Sequence, residues 1–227
     1  MAELIITIDG PAASGKSTVA RLLAQRIGAS FLDTGAMYRA VTFAALQAEV
    51  NLNEEEQLLR ILEERTFHFE DDDGIMKVRI DGVDVTEQIR DPEVTEHARF
   101  AASSPSIRLK LVQLQQQYAQ RYRNVVTEGR DQGTIAFPKA DVKFFLTADV
   151  DVRAQRRHSE LSSKGKSDTL EGVKKAIVNR DASDENRKMG PLKPDADAIV
   201  VDTTNLDVQQ VVDTLLYYVE QKCSKKD

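Results

Sequence analysis

The sequence predicts an α/β fold in which helices cover both faces of a doubly wound parallel sheet of five strands. Short apolar runs rich in Val and Ile alternate along the chain with longer stretches of helical periodicity, which is typical of parallel sheets. The first run, residues 4–8, is followed at once by a glycine-rich turn and a helical pattern. Because 227 residues suit one α/β domain with a small insert, we expect residues 1–227 to form a single domain.

The expected elements follow in chain order. The first helix has Val19, Leu22, Leu23 and Ile27 on one face, and Gly28 is well placed to end it in a left-handed conformation. The second strand is expected to run into a turn at Gly35. The five strands of the sheet are expected at residues 4–8, 30–33, 125–126, 142–146 and 198–201. Helices are expected at residues 17–27, 36–48, 54–65, 106–122, 150–161, 170–179 and 208–221.

A different pattern separates the third and fourth of these helices. Residues 66–70, 76–80 and 83–85 alternate as strands do, and Asp-Gly pairs at 73–74 and 81–82 indicate tight turns between them. This pattern predicts a small antiparallel β insert.

Composition narrows the classes of function. A net charge of −6 disfavours a protein that binds nucleic acid regardless of sequence, because such binding needs an excess of Lys and Arg. The single cysteine, Cys223, cannot form an internal disulfide, and no Cys/His cluster has the spacing of a zinc site. No targeting or membrane segment is visible. We therefore expect a cytoplasmic monomer that binds neither nucleic acid nor membrane.

The glycine-rich turn fits the phosphate-binding pattern G-x-x-x-x-G-K-[ST], and it lies between a strand and a helix, as its mechanism requires. Backbone N–H groups of such a loop surround a triphosphate, its lysine reaches the β and γ phosphates, and its hydroxyl binds Mg²⁺. We expect Lys16 and Ser17 to have these two functions and the loop to hold Mg-ATP or Mg-GTP. The residues of the loop are Gly10, Pro11, Ala12, Ala13, Ser14, Gly15, Lys16, Ser17 and Thr18.

Missing motifs limit the possible activities of this loop. The chain has no Asn-Lys-x-Asp guanine-reading motif and no Asp-Glu-x-Asp/His motif, which disfavours a GTPase or a nucleic-acid motor. A small-molecule kinase remains, with the acceptor at the C-terminal ends of the strands. Two alternatives stay open: a kinase for a hydroxyl acceptor with Asp33 as the base, and a binding module whose partner binding depends on the nucleotide.

The positions of the arginines favour an anionic acceptor. Residues 153–193 contain 11 Lys or Arg and 6 Asp or Glu, whereas residues 66–97 contain 3 and 10. Arg39, Arg130, Arg180 and Arg187 lie at or near expected loops. A phosphate acceptor is already ionised, so it needs cations near it and not a general base.

Beyond the loop, the sequence resembles the bacterial cytidylate kinases, a family of P-loop nucleoside monophosphate kinases, nearly from end to end. The resemblance is carried by Ile8-Asp-Gly-Pro11, Leu32-Asp-Thr-Gly-Ala-Met-Tyr-Arg39, Glu128-Gly-Arg-Asp-Gln-Gly-Thr134, Phe137-Pro-Lys-Ala-Asp141, Arg153-Ala-Gln-Arg-Arg157, Asn179-Arg-Asp181 with Asp184 and Arg187, Pro191-Leu192 and Ala196-Asp-Ala-Ile199. The resemblance implies transfer of the γ-phosphoryl group of ATP to CMP or dCMP, with Mg²⁺. It also implies that the domain contains a monophosphate-binding region at 36–105, with the β insert at about 66–90, and a lid with acceptor-binding helices at 153–190.

The resemblance also implies functions for individual residues. Lys16, Arg130, Arg153 and Arg157 would be catalytic, with Arg153, Arg156 and Arg157 as lid cations. The residues that would bind the acceptor are Arg39, Arg130 and Arg187 at its phosphate, Arg180 and Asp184 at its sugar, and Arg108 and Asp131 at the cytosine edge, with Thr34 nearby.

Further positions leave questions open. Asp9 and Asp33 would either hold water on Mg²⁺, fix the loop or be merely structural. Three positions depart from the family pattern: Arg99 stands where Ser is frequent, Gln132 replaces an apolar residue, and Thr34 replaces a frequent Ser but keeps the hydroxyl.

Overall fold

A computed structural model describes residues 4–163, 165 and 167–224. Strands in this part of the chain are β1 Leu4–Asp9, β2 Ser30–Asp33, β3 Phe67–Asp72, β4 Ile75–Ile80, β5 Val83–Asp84, β6 Asn124–Gly129, β7 Val142–Thr147 and β8 Ile199–Asp202. Its α-helices are α1 Lys16–Ile27, α2 Thr34–Gln47, α3 Glu55–Glu64, α4 Pro92–Ser103, α5 Pro105–Ala119, α6 Val150–Ser163, α7 Leu170–Glu185 and α8 Val208–Cys223. A 3₁₀ turn spans Gln88–Arg90, and one π-helical turn spans Gln132–Ala136.

Five strands form one sheet in the order β2-β6-β1-β7-β8. The β1–β7 and β7–β8 pairs are parallel, with Ile6 opposite Val142 and Phe144 opposite Ile199. Ile6 and Ile8 are fully buried, as expected for a strand between two neighbours that is covered on both faces. The predicted five-stranded α/β fold is therefore confirmed.

The predicted antiparallel insert is also confirmed, as a separate sheet in the order β3-β4-β5. Both predicted turns have two successive residues with positive φ: 52° and 77° at Asp73 and Gly74, and 50° and 83° at Asp81 and Gly82. Such pairs are typical of type I′ turns, whose twist matches that of the strands they join. Asp-Gly is favoured there because Asp tolerates this conformation and Gly adopts it without a steric penalty.

The chain divides into two compact units, each with its own core. The described part of one unit comprises residues 4–5 and 24–127, and its core includes Met37, Met76 and Leu111. The described part of the other comprises residues 6–23, 128–163, 165 and 167–224, and its core includes Ile8 and Phe144. No helix among the described residues is long and apolar enough to span a membrane.

The expected turn at Gly35 was wrong. Helix α2 begins at Thr34, directly after β2, because the Asp33 side chain caps it: Oδ1 accepts from the N–H of Ala36 at 2.8 Å. With its N-terminus capped by the last residue of the strand, the helix needs no intervening turn.

Other differences concern elements whose sequence signals are weak. Helix α4 was not predicted, although Pro92 occupies its first turn; its buried residues, Val94 and Ala101, form too narrow an apolar stripe. The π-helical turn after β6 was also not predicted. Helix α7 continues six residues beyond its predicted end at 179, to Glu185, through a mostly polar stretch.

Substitution of Gly10 by Ala should destabilise the protein more than substitution of Gly28 by Ala. A Cβ at Gly10, where φ is +150°, would lie 2.0 Å from the Leu146 carbonyl oxygen, whereas one at Gly28, where φ is +64°, would lie in open space. We expect urea unfolding to show a loss of about 3 kcal/mol for Gly10→Ala from overpacking. Gly28→Ala should lose about 1 kcal/mol, from backbone strain alone. Equal losses would contradict the close approach at Gly10.

Candidate active site

The phosphate-binding loop, residues 10–18, joins β1 to α1 within the second unit, where the sequence placed it. Ala13 has a φ of 58° and Gly15 a φ of 91°, so the backbone turns sharply before the helix begins at Lys16. The positive end of α1 therefore lies at the end of the loop, an arrangement that favours an anion.

Lys16 is buried, and its ammonium group turns back onto the loop. Nζ donates to the carbonyl oxygen of Pro11 at 2.6 Å and to Ser14 Oγ at 3.3 Å. Burial lowers the pKa of Lys16 to about 7, assisted by the positive charges of Arg130 and Arg180, against the opposing carboxylates Glu128 and Asp9. Since an added negative charge would raise this pKa again, the surroundings of Lys16 favour an anion.

Ser17 faces a carboxylate that the sequence analysis did not select. Its hydroxyl donates to Glu128 Oε1 at 2.7 Å, and Glu128 lies near the C-terminal end of β6. Hydroxyl and carboxylate oxygens are ligands that Mg²⁺ prefers, and Mg²⁺ commonly takes one or two protein oxygens with the rest from phosphate and water. Among the described residues no group of three or more His, Cys, Asp or Glu could hold a metal ion. The pair thus fits a metal shared with a bound triphosphate.

Asp9 ties the end of β1 to the loop after β6. Its two carboxylate oxygens accept from the N–H groups of Gln132, at 2.9 Å, and Gly133, at 2.8 Å. Burial raises the pKa of Asp9 to about 7, although these two hydrogen bonds favour the charged form. Of the functions considered for Asp9, this geometry supports the fixing of a loop.

Two of the arginines expected at the acceptor phosphate share one carboxylate. Arg130 Nε donates to Asp184 Oδ2 at 2.7 Å, and Arg187 donates to Asp184 Oδ1. Burial alone would raise the pKa of Asp184, but the charges of Arg130 and Arg187 outweigh it and hold the pKa below its ordinary value. Asp184 therefore remains ionised and keeps the two guanidinium groups side by side.

Two further residues of the expected acceptor set lie in the same unit. Arg180 is exposed on α7, close enough to Lys16 to lower its pKa. Asp131 is buried directly after Arg130, and its charge contributes to the raised pKa of Asp9. The structure thus brings Arg130, Arg180, Asp184 and Arg187 together with the phosphate-binding loop in one unit.

The three expected lid cations have different surroundings. Arg153 is buried and pairs with Asp181, a residue that the sequence analysis did not assign to the site. Arg156 donates to the carbonyl oxygen and the hydroxyl of Thr203, after β8. Arg157 pairs with Glu160 one turn along α6. Their function as lid cations stays a prediction, and positions 164 and 166 of the expected lid lie outside the described residues.

The remaining expected acceptor residues lie in the first unit. Asp33 Oδ2 accepts from Arg39 at 3.0 Å and lies 3.8 Å from Arg90, so the residue that caps α2 also orients Arg39. Thr34, the first residue of α2, is buried.

Arg108 is also buried in the first unit. It donates to the carbonyl oxygen of Ala102 at 3.0 Å and lies 5.6 Å from the centre of the Tyr38 ring. Among the departures from the family pattern, Arg99 lies 5.0 Å from the centre of the Phe100 ring, and the backbone N–H of Gln132 donates to Asp9.

The sequence analysis missed two residues of the candidate site, Glu128 and Asp181, because their neighbours in the sequence give only a weak signal. Glu128 directly precedes Gly129 at the end of a strand, and Asp181 directly follows Arg180 in a polar helix. Neither neighbourhood distinguishes a buried carboxylate from a solvated one. Their partners are 111 and 169 residues away along the chain, at Ser17 and Ala12 respectively.

Comparison with known proteins identifies the family of the chain. The family model for cytidylate kinase matches residues 6–221. The cytidylate kinase of Streptococcus pneumoniae strain 70585 is 45% identical over 223 residues, which cover 98% of this chain and 100% of that protein. The protein of strain Hungary19A-6 is 44% identical over the same shares of both chains.

A solved structure is similar in fold. An uncharacterized protein from Eubacterium ventriosum has a TM-score of 0.52 and 13% identity, covering 96% of this chain and 99% of that one. At this identity the likeness shows the fold alone, whereas the family model and the relatives extend over nearly the whole sequence. The chain belongs to the cytidylate kinase family.

Proposed function

We propose that the protein transfers the γ-phosphoryl group of ATP to CMP or dCMP and releases ADP with CDP or dCDP. The observation that carries the proposal is the concentration of positive charge around the phosphate-binding loop: buried Lys16 has a pKa lowered to about 7 by burial and by Arg130 and Arg180. Two phosphorylated substrates would bring further negative charge to these cations.

On the donor side, the loop residues 10–18 would hold the triphosphate of ATP. Lys16 would exchange its contacts with Pro11 and Ser14 for the β and γ phosphates. Ser17, hydrogen-bonded to Glu128, would hold Mg²⁺, which when bound neutralises charge on the β and γ phosphates.

On the acceptor side, Arg130 and Arg187 would hold the phosphate of CMP, fixed in orientation by Asp184. The lone pairs of Asp184 that these bonds leave, together with Arg180, would serve the sugar hydroxyls. Arg39 would add a third cation, oriented by Asp33. An ionised phosphate attacks without losing a proton, so the reaction needs no general base.

We propose that Asp131, together with Arg108 and Thr34, selects cytosine over other bases. A carboxylate accepts a hydrogen bond from the exocyclic amine of cytosine, whereas uracil presents a carbonyl oxygen there and would face repulsion.

Arg153 and Arg157 are proposed to act from α6 near the transferring group. We also propose that the enzyme is a cytoplasmic monomer that binds no nucleic acid, in keeping with its net charge of −6.

A panel of acceptors tests the proposed function. With Mg-ATP and each of CMP, dCMP, UMP and AMP, ADP release should be fastest with CMP or dCMP. Uracil lacks the exocyclic amine that Asp131 would bind, and adenine carries its amine on a larger, purine base. Small alcohols serve as the control class. Activity with alcohols alone would favour a kinase with Asp33 as the base. Slow hydrolysis of ATP that no monophosphate changes would favour the nucleotide-dependent binding module.

Replacement of Lys16 by Met tests the donor site. Turnover should fall at least ~100-fold, as expected when a cation that stabilises the transferring group is lost. Thermal unfolding should occur at the wild-type temperature or above, because the substitution removes a buried charge. Lys175→Met is the matched control, since Lys175 is exposed on α7 and should leave turnover unchanged. Full activity of Lys16→Met would refute the function given to Lys16.

A further inference from the structure

One residue of the phosphate-binding loop, Ala12, is held by both of its backbone polar groups. The N–H of Ala12 donates to Asp181 Oδ1 at 2.9 Å, and the carbonyl oxygen of Ala12 accepts from Arg153 at 3.0 Å. The same arginine pairs with Asp181 Oδ2 and also donates from Nε to the carbonyl oxygen of Ala148 at 3.0 Å. Three segments of the second unit, namely the loop, α6 and α7, therefore meet at this residue.

This contact is shielded from water. Asp181 and Arg153 are each 8% exposed, and Ala12 is 6% exposed. Hydrogen bonds to charged groups are short and strong, and they are strongest where water is excluded. Nearby, Ala13 packs against the buried cluster of Ala154, Val173 and Ile177. The backbone of the loop is thus fixed by polar and apolar contacts to the same two helices.

A carboxylate beside an anion-binding loop needs an explanation. The negative charge of Asp181 would repel a triphosphate if it were free, but its pairing with Arg153 compensates that charge. Asp181 also uses a loop N–H that would otherwise be available to a phosphate. Both facts indicate that Asp181 acts on the position of the loop and not on the nucleotide.

We propose that Asp181 is a positioning residue for phosphoryl transfer, which fixes the phosphate-binding loop to the helix that carries Arg180 and Asp184. The proposal rests on the proposed function, in which these two residues bind the acceptor. Asp181 lies between them on α7, so one helix sets the location of both the loop and the acceptor residues. In-line transfer requires the two reacting groups to be aligned, and a misplacement of about 1 Å can reduce the rate by about 100-fold.

Two variants of Asp181 provide the test. Asp181→Asn removes the charge and places an amide donor against Arg153. Asp181→Glu keeps the charge and the pairing with Arg153 but lengthens the side chain by one methylene. Asp197→Asn is the matched control, because it breaks an ion pair with buried Lys143 in the same unit without contacting the loop.

Steady-state kinetics with CMP, calorimetric binding of Mg²⁺ with a non-hydrolysable ATP analogue, and thermal unfolding are measured for each protein. We expect both Asp181 variants to lose at least ~10-fold in kcat per folded molecule, and Asp181→Asn to bind the analogue at least ~10-fold more weakly. Asp197→Asn should change the unfolding temperature alone.

A lower unfolding temperature with kcat and analogue affinity within about twofold of wild type would show a merely structural role and overturn the proposal. If Asp181→Asn does not fold, the test uses Asp181→Glu. A kcat of this variant within about twofold of the wild-type value would then overturn the proposal. Failure of the proposed function gives a different result, because the wild-type protein would then not phosphorylate CMP. The analogue-binding comparison needs no acceptor and remains decisive in that case.

Discussion

The burial of a lysine ammonium beside two arginines is the constraint on which the site depends. Lys16 loses hydration and lies near Arg130 and Arg180, so its charged form is destabilised until an anion arrives. Groups with pKa values perturbed by burial and by a neighbouring charge concentrate at functional sites. The neighbouring carboxylates Glu128 and Asp9 oppose the effect only in part.

Carboxylates hold the cations of the candidate site in place. Asp184 holds Arg130 and Arg187 side by side, and Asp181 joins Arg153 to the loop. Asp9 uses its oxygens on two backbone N–H groups instead of on a cation. The rigid arrangement that results costs little reorganisation during the reaction, which is how preorganised charges stabilise a transition state.

Local signals in the sequence explain why so much of the fold could be predicted. The strand, glycine-rich loop and helix around Lys16 follow from residue types within about 25 positions, and the Asp-Gly turns of the insert depend on two residues each. Helix α4 buries only Val94 and Ala101, so its apolar face is a weak signal in the sequence. The N-terminus of α2 was misplaced because its position depends on a cap by the last residue of a strand, Asp33.

The residues of the candidate site also differ in how clearly the sequence alone indicates them. Lys16 and Ser17 were predicted from a contiguous motif, and the arginines expected at the acceptor were predicted from their positions near strand ends and from a family resemblance. Asp181 and Glu128 were not found, because their importance comes from partners more than 100 residues away along the chain. Spacing cannot reveal a contact that only the tertiary fold creates.

The cations around the loop are proposed to serve two phosphorylated substrates at once. Calorimetric titration with adenosine and cytidine joined through a chain of five phosphates measures whether the two bind together. We expect one molecule bound per chain, with a dissociation constant at least ~100-fold lower than that of ATP or CMP alone, because the second group binds without a further loss of translational freedom. Binding no tighter than that of ATP alone would show that the cations do not serve both substrates together.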